Sequence, residues 1–225
     1  MAPEVIAAII AAVATLAAAI VGATVSLTKK RERDKRESIE VIVYKNSGEY
    51  ISAFEARIRK AKRVDDVTWG EGEANDEIQW SRQDRIAHRH LYETIAEIIR
   101  KPDVIWRDVV VLSSKYRSRF ELYKEFVLNP DAPGYSLAYF ESPPPTAPPR
   151  IGFSVVDSGE DDAEVFLAFG GSRLRMKHPD IVAFFSQYFG FVLKRATQLK
   201  RGTTVNHEML ENLERQIMEQ EGDIE

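Results

Sequence analysis

From Val5 to Leu27 the chain carries no charge, and only Thr15, Thr24 and Ser26 interrupt the apolar side chains. As a helix these 23 residues would rise about 35 Å, enough to span the core of a bilayer. The pattern predicts an N-terminal single transmembrane helix within an anchor at residues 1–28. Lys29, Lys30, Arg31, Arg33, Lys35 and Arg36 follow at once. By the positive-inside rule this basic juxtamembrane linker, residues 29–38, places the N-terminus outside and the rest of the chain in the cytoplasm. A cleaved signal peptide is disfavoured, because no Lys or Arg precedes the apolar run. Small residues recur every fourth position at Ala7, Ala11, Thr15, Ala19 and Ala23, a spacing that lets helix backbones approach closely.

Beyond the linker the periods alternate between two and 3.6. Ile39 to Tyr44 reads as a strand, and Asn46, Ser47 and Gly48 supply cap chemistry for an amphipathic helix over about 48–63. Val64 to Trp69 reads as a strand, 76–100 as a long helix stopped by Pro102, and Val104 to Leu112 as a strand covered on both faces. A helix runs from Ser113 or Ser114 through Val127, and Tyr135 to Phe140 is strand-like. The proline-rich stretch 142–149 cannot join a ladder. Ile151 to Val156 and Glu164 to Phe169 flank an acidic turn and predict a hairpin. His178 and Pro179 open an aromatic helix expected to run to about Arg201, with Gly202 closing it. The expected soluble domain is therefore a mixed-sheet α/β unit over 39–202, followed by a C-terminal amphipathic helix and tail over 203–225. Val205, Met209, Leu213 and Ile217 form an apolar stripe in that tail, which either packs on its own domain or joins copies into a homo-oligomer.

Composition narrows the chemistry. There is no cysteine, so disulfides, thiolate metal sites and cysteine nucleophiles are excluded. Residues 29–36 hold six basic and two acidic side chains, so the remainder is more acidic than the net charge of −4 indicates. A generic nucleic-acid surface is disfavoured on that ground. Walker, dinucleotide, G-x-S-x-G and H-E-x-x-H motifs are absent from the sequence. Asp84 and His88 lie four apart on one helix face, a geometry suited to an oriented base. No third ligand stands at metal spacing, and neither a metal nor a cofactor is expected.

The order of elements, together with Arg150-Ile-Gly152-Phe-Ser-Val-Val-Asp157 before the turn and the strand ending in Gly170-Gly171-Ser172, resembles the phospholipase D-like superfamily in its single-domain form. The family motif is H-x-K-x(4)-D, with a histidine nucleophile, a phosphate-holding lysine and an aspartate that orients a histidine. The resemblance places Arg150 at the histidine, Gly152 at the lysine and Asp157 at the aspartate, so neither a phosphohistidine nor its lysine clamp can form. It implies a degenerate, pseudoenzyme-like domain that binds or signals, recognising a protein partner or a phosphorylated ligand through Arg150. Two alternatives stand beside it. One is a membrane-tethered phosphodiesterase or nuclease with a rearranged site built from His88, Asp84 and His178; the other is a self-associating membrane scaffold.

Overall fold

The computed structural model describes residues 39–69, 82–112, 117–141, 151–169 and 172–222. In chain order the elements are β1 (Glu40–Tyr44), α1 (Ser47–Ile58), β2 (Arg63–Thr68), α2 (Arg82–Ile98), β3 (Ile105–Val111), α3 (Arg117–Leu128) and β4 (Tyr135–Phe140), then β5 (Gly152–Val156), β6 (Glu164–Phe169), β7 (Ser172–Lys177), α4 (Pro179–Leu193), β8 (Thr197–Arg201), β9 (Thr204–Val205) and α5 (His207–Gly222). The nine strands form one mixed sheet in the order β1-β7-β6-β5-β2-β3-β4-β8-β9. Strands β2, β3 and β4 run parallel at its centre, and the remaining pairings are antiparallel.

Alternation along the strands divides the core in two. On one face Val64, Trp106, Val110, Tyr135, Val156 and Phe166 meet α1, α2, α3 and α5. On the other, Val67, Val109, Phe153, Val165 and Leu174 meet α4 through Ile181, Phe185 and Phe189. The apolar run 109–112 serves both faces at once, as expected of a central parallel strand. Gly134 is fixed by a close approach, since a Cβ there would stand 1.9 Å from the Val104 carbonyl oxygen.

Three expectations are corrected. Among the described residues no helix is long and apolar enough to cross a membrane. The longest of them, α2, has 17 residues and carries charge at Arg82, Asp84, Arg85, Arg89, Glu93 and Glu97. The anchor expected at 1–28, its basic linker at 29–38, the lipid bilayer as partner and the single-pass placement are therefore not retained, and the segment itself lies outside the described residues. Second, the aromatic helix ends at Leu193. Residues 197–201 instead form β8 against β4, and Gly202, at φ 59°, turns the chain into β9. The Lys200 ammonium is buried, donating to the carbonyls of Phe126 and Asn129 at the C-terminal end of α3. A lysine satisfied in this way reads in sequence as a solvated helix position.

Third, the tail is part of the domain. Leu210, Leu213 and Ile217 are buried in the helix-side core, with Val205 and Met209 packed against it. Of the two outcomes open for the stripe, packing on its own domain is the one seen, so self-association loses that support. Leu213→Ala is expected to cost about 2–3 kcal/mol of stability, read from the denaturant midpoint. A loss below about 0.5 kcal/mol, the range of surface substitutions, would mean that α5 is only loosely docked.

Candidate functional site

Ligands of open α/β sheets gather beyond the carboxyl ends of the parallel strands. At that edge, on the helix-rich face, the pairings Tyr44 with Arg173, Arg173 with Ala168, and Ala168 with Gly152 set four residues in one row. Val67 pairs with Phe153, so Thr68 continues the row beside Gly152. A cationic and a hydroxyl side chain thus flank two positions, Gly152 and Ala168, that carry almost no side chain. Side-chain bulk is therefore least at these two positions, where a recess would lie. A Cβ at Gly152 would meet only ordinary contacts, the carbonyl oxygens of Val67 at 3.5 Å and Ala168 at 3.7 Å.

One row deeper, Ser154, Asp66 and Asp108 stand side by side on β5, β2 and β3. Asp66 accepts from the hydroxyls of Ser154 and, at 2.9 Å, Thr68. Asp108 accepts from Trp106 Nε1 at 2.6 Å and the Tyr135 hydroxyl at 2.8 Å. Ser154 and Asp108 are buried, whereas Asp66 is half-buried. Burial raises the Asp66 carboxyl above the ordinary range, opposed by the two hydroxyl hydrogen bonds and by Arg119. Asp108 is raised well above it, first by burial and then by the neighbouring Asp66 charge. Arg119, buried on α3, has its pKa lowered by the same burial. The Tyr50 hydroxyl on α1 is raised by burial and then by Asp66. The arrangement ties the Ser154 and Thr68 hydroxyls to Asp66 and offers positive charge from Arg119 and Arg173.

Of the residues singled out in the sequence, Arg150 lies outside the described residues, and Gly152 opens the recess. Asp157 sits at the far end of β5, about 17 Å from Gly152 at the strand's rise. At φ 54° its carboxylate accepts from the backbone N–H groups of Lys62 (2.7 Å) and Arg63 (2.9 Å) and from Arg57 Nη1 (2.8 Å). It ties the hairpin turn to the start of β2 and to α1.

The alternative constellation is not assembled. His88 is on α2, over the helix-rich face, beside the Tyr92 ring at 6.5 Å. His178 caps α4 on the opposite face, accepting from the Asp180 N–H at 3.3 Å. The Asp84 side chain lies outside the description. Among the described residues no group of three or more His, Asp or Glu side chains could hold a metal. Sequence reading missed Asp66, Asp108 and Ser154. The available signal was carboxylates inside two predicted strands, Asp65 and Asp66 in RVDDVT and Asp108 in IWRDVVV, where a buried charge is costly unless it is partnered.

No family model matches the sequence, and no curated protein does. Among solved structures, TrmBL2, described as an archaeal chromatin protein with a novel mode of DNA binding, is similar over 87% of this chain at 12% identity and a TM-score of 0.46. This chain spans 66% of the TrmBL2 chain, just under two thirds of it. NucT from Helicobacter pylori is similar over 72% of this chain and 98% of its own at 8% identity and a TM-score of 0.45. Both scores lie below one half, so neither likeness carries an argument about the family or activity of this chain.

Proposed function

We propose that the chain is a binding domain of phospholipase D-like type that takes a phosphate-bearing ligand in the recess over Gly152 and Ala168. The observation that carries this reading is the row at the sheet edge, in which Arg173 and Thr68 flank two side chains too small to fill the space. A phosphoryl group there would meet the Arg173 guanidinium beside the Thr68 hydroxyl, with Asp66, whose carboxyl burial raises above the ordinary range, one row below. Arg150, two residues before Gly152, supplies a further guanidinium in this reading. Binding without turnover follows from the same positions, because glycine replaces the lysine and arginine the histidine.

The test is calorimetric titration of the full chain with a 5′-phosphorylated dinucleotide, alongside an assay for phosphodiester cleavage. Arg173→Gln is expected to weaken binding about tenfold, the loss of one charge-assisted contact. Gly152→Leu, which fills the recess, is expected to abolish it. Binding indifferent to both substitutions would overturn the reading. Cleavage abolished by Asp66→Asn would replace it with the phosphodiesterase alternative.

A further inference from the structure

Four helices cover one face of the sheet, whereas α4 alone among the described elements packs on the other. On that thinly covered side a groove of about 1480 Å³ runs between β1 and α4. Its strand wall carries Ile39 and Val41. With Val43 they form a stripe on edge strand β1 that stays 41%, 42% and 48% exposed. Three β-branched side chains in a row at a sheet edge are a surface that proteins ordinarily cover. The helix wall carries Pro179, Val182 and Gln187 together with the small Ala183 and Ser186. Ser186 Oγ is enclosed without a hydrogen-bond partner among the described residues.

We propose that this groove is filled by the chain's own apolar segment, residues 5–27. Four observations favour that occupant over a foreign one. The described chain begins at Ile39, which itself lines the groove, so the segment is delivered to the site at high effective concentration. The eleven residues from Thr28 to Ser38 are enough to reverse direction. Charge matches at the mouth: Glu160 and Asp161 line the groove, and the residues leading into Ile39 include the basic cluster at 29–36.

Shape matches as well. Ala11, Thr15, Ala19 and Ala23 recur every fourth residue, a spacing that would give a helix a small-residue row suited to close packing against Ala183 and Ser186. The 15 residues of α4 rise about 22 Å, so a stretch of equal length within the segment would cover the groove. Finally, 23 uncharged residues must leave water somewhere, and the exposed β1 stripe is an apolar wall within their reach.

Because the chain has no cysteine, disulfide trapping reads this directly in the full-length protein. Ala183→Cys is paired in turn with Thr15→Cys, Ala19→Cys and Ala23→Cys, which sample the register over two turns. The expected result is an intrachain disulfide from at least one pair, formed under mild oxidation at a rate independent of protein concentration. Adding Glu160→Lys and Asp161→Lys should slow trapping several-fold, and Ser186→Leu, which fills the groove, should abolish it. Trapping only between chains would assign the groove to a second copy and overturn the proposal. Failure of all three pairs would overturn it too, as would protection of the Ala19→Cys thiol from a water-soluble maleimide only when phosphatidylcholine vesicles are present.

Discussion

Replacing Arg57 by Met is expected to lower the stability of the fold by about 3 kcal/mol, the scale seen when one partner of a buried ion pair is removed. Arg57 projects from α1 into the turn between β5 and β6. Its Nη1 bonds Asp157 at 2.8 Å, its Nη2 reaches Asp162 at 3.1 Å, and its Nε stands 3.4 Å from Glu164. Side-chain exposure is only 12% for Arg57, 7% for Asp157 and 5% for Glu164, so water cannot replace the lost cation. Asp162, at 65%, contributes little. Glu164 keeps Arg175, and Asp157 keeps two backbone donors, which holds the cost near the lower end of the range. The cycle with Asp157→Asn isolates the pair: the double variant should recover part of the loss, because the amide no longer leaves a charge buried. A loss below about 1 kcal/mol, the scale of exposed pairs, would show the cluster to be solvated.

That cluster also shows what was legible in the sequence and what was not. Strand β6 was readable to the residue, and β1 to within one, because β-branched and aromatic runs bounded by turn residues have few other conformations open to them. The hairpin of β5 and β6 followed from Asp157 to Asp162, yet nothing local announced that Asp157 would be held by residues near position 60. Partners about a hundred positions apart meet only once the sheet order is set. Strand β7 was hidden because Arg173, Arg175 and Lys177 alternate with Leu174 and Met176, and three cations in six residues look like a solvated loop. The first two of those cations lie on the face that meets the helices, Arg175 against Glu164 and Arg173 at the recess. The functional reading suffered in the same way. The family motif directed attention to Arg150 and Asp157, whereas the polar groups converge through register across β5, β2 and β3.

Asp108→Asn is expected to make the protein more stable at pH 8, by about 1–2 kcal/mol, although it removes a residue whose carboxylate accepts two hydrogen bonds. The carboxyl is raised well above its usual range by burial and by Asp66 beside it, so the folded chain binds this proton more tightly than the unfolded chain does. Stability from this group is therefore fully present below the unfolded carboxylate range, near pH 4, and is lost as pH rises through the raised folded value. Asparagine has nearly the same shape, can still accept from Trp106 Nε1, and cannot ionise, so its advantage should shrink to nothing as the pH is lowered toward 4. Asp108→Leu should behave oppositely. It leaves the Trp106 N–H and the Tyr135 hydroxyl buried without an acceptor, at about 1–3 kcal/mol each, and the loss should be the larger of the two effects. Parallel denaturant titrations of the three proteins at pH 5 and pH 8 decide the matter. An asparagine variant less stable than the parent by the same amount at both pH values would mean that Asp108 is ionised at no cost, with Arg119 compensating its charge and that of Asp66 together.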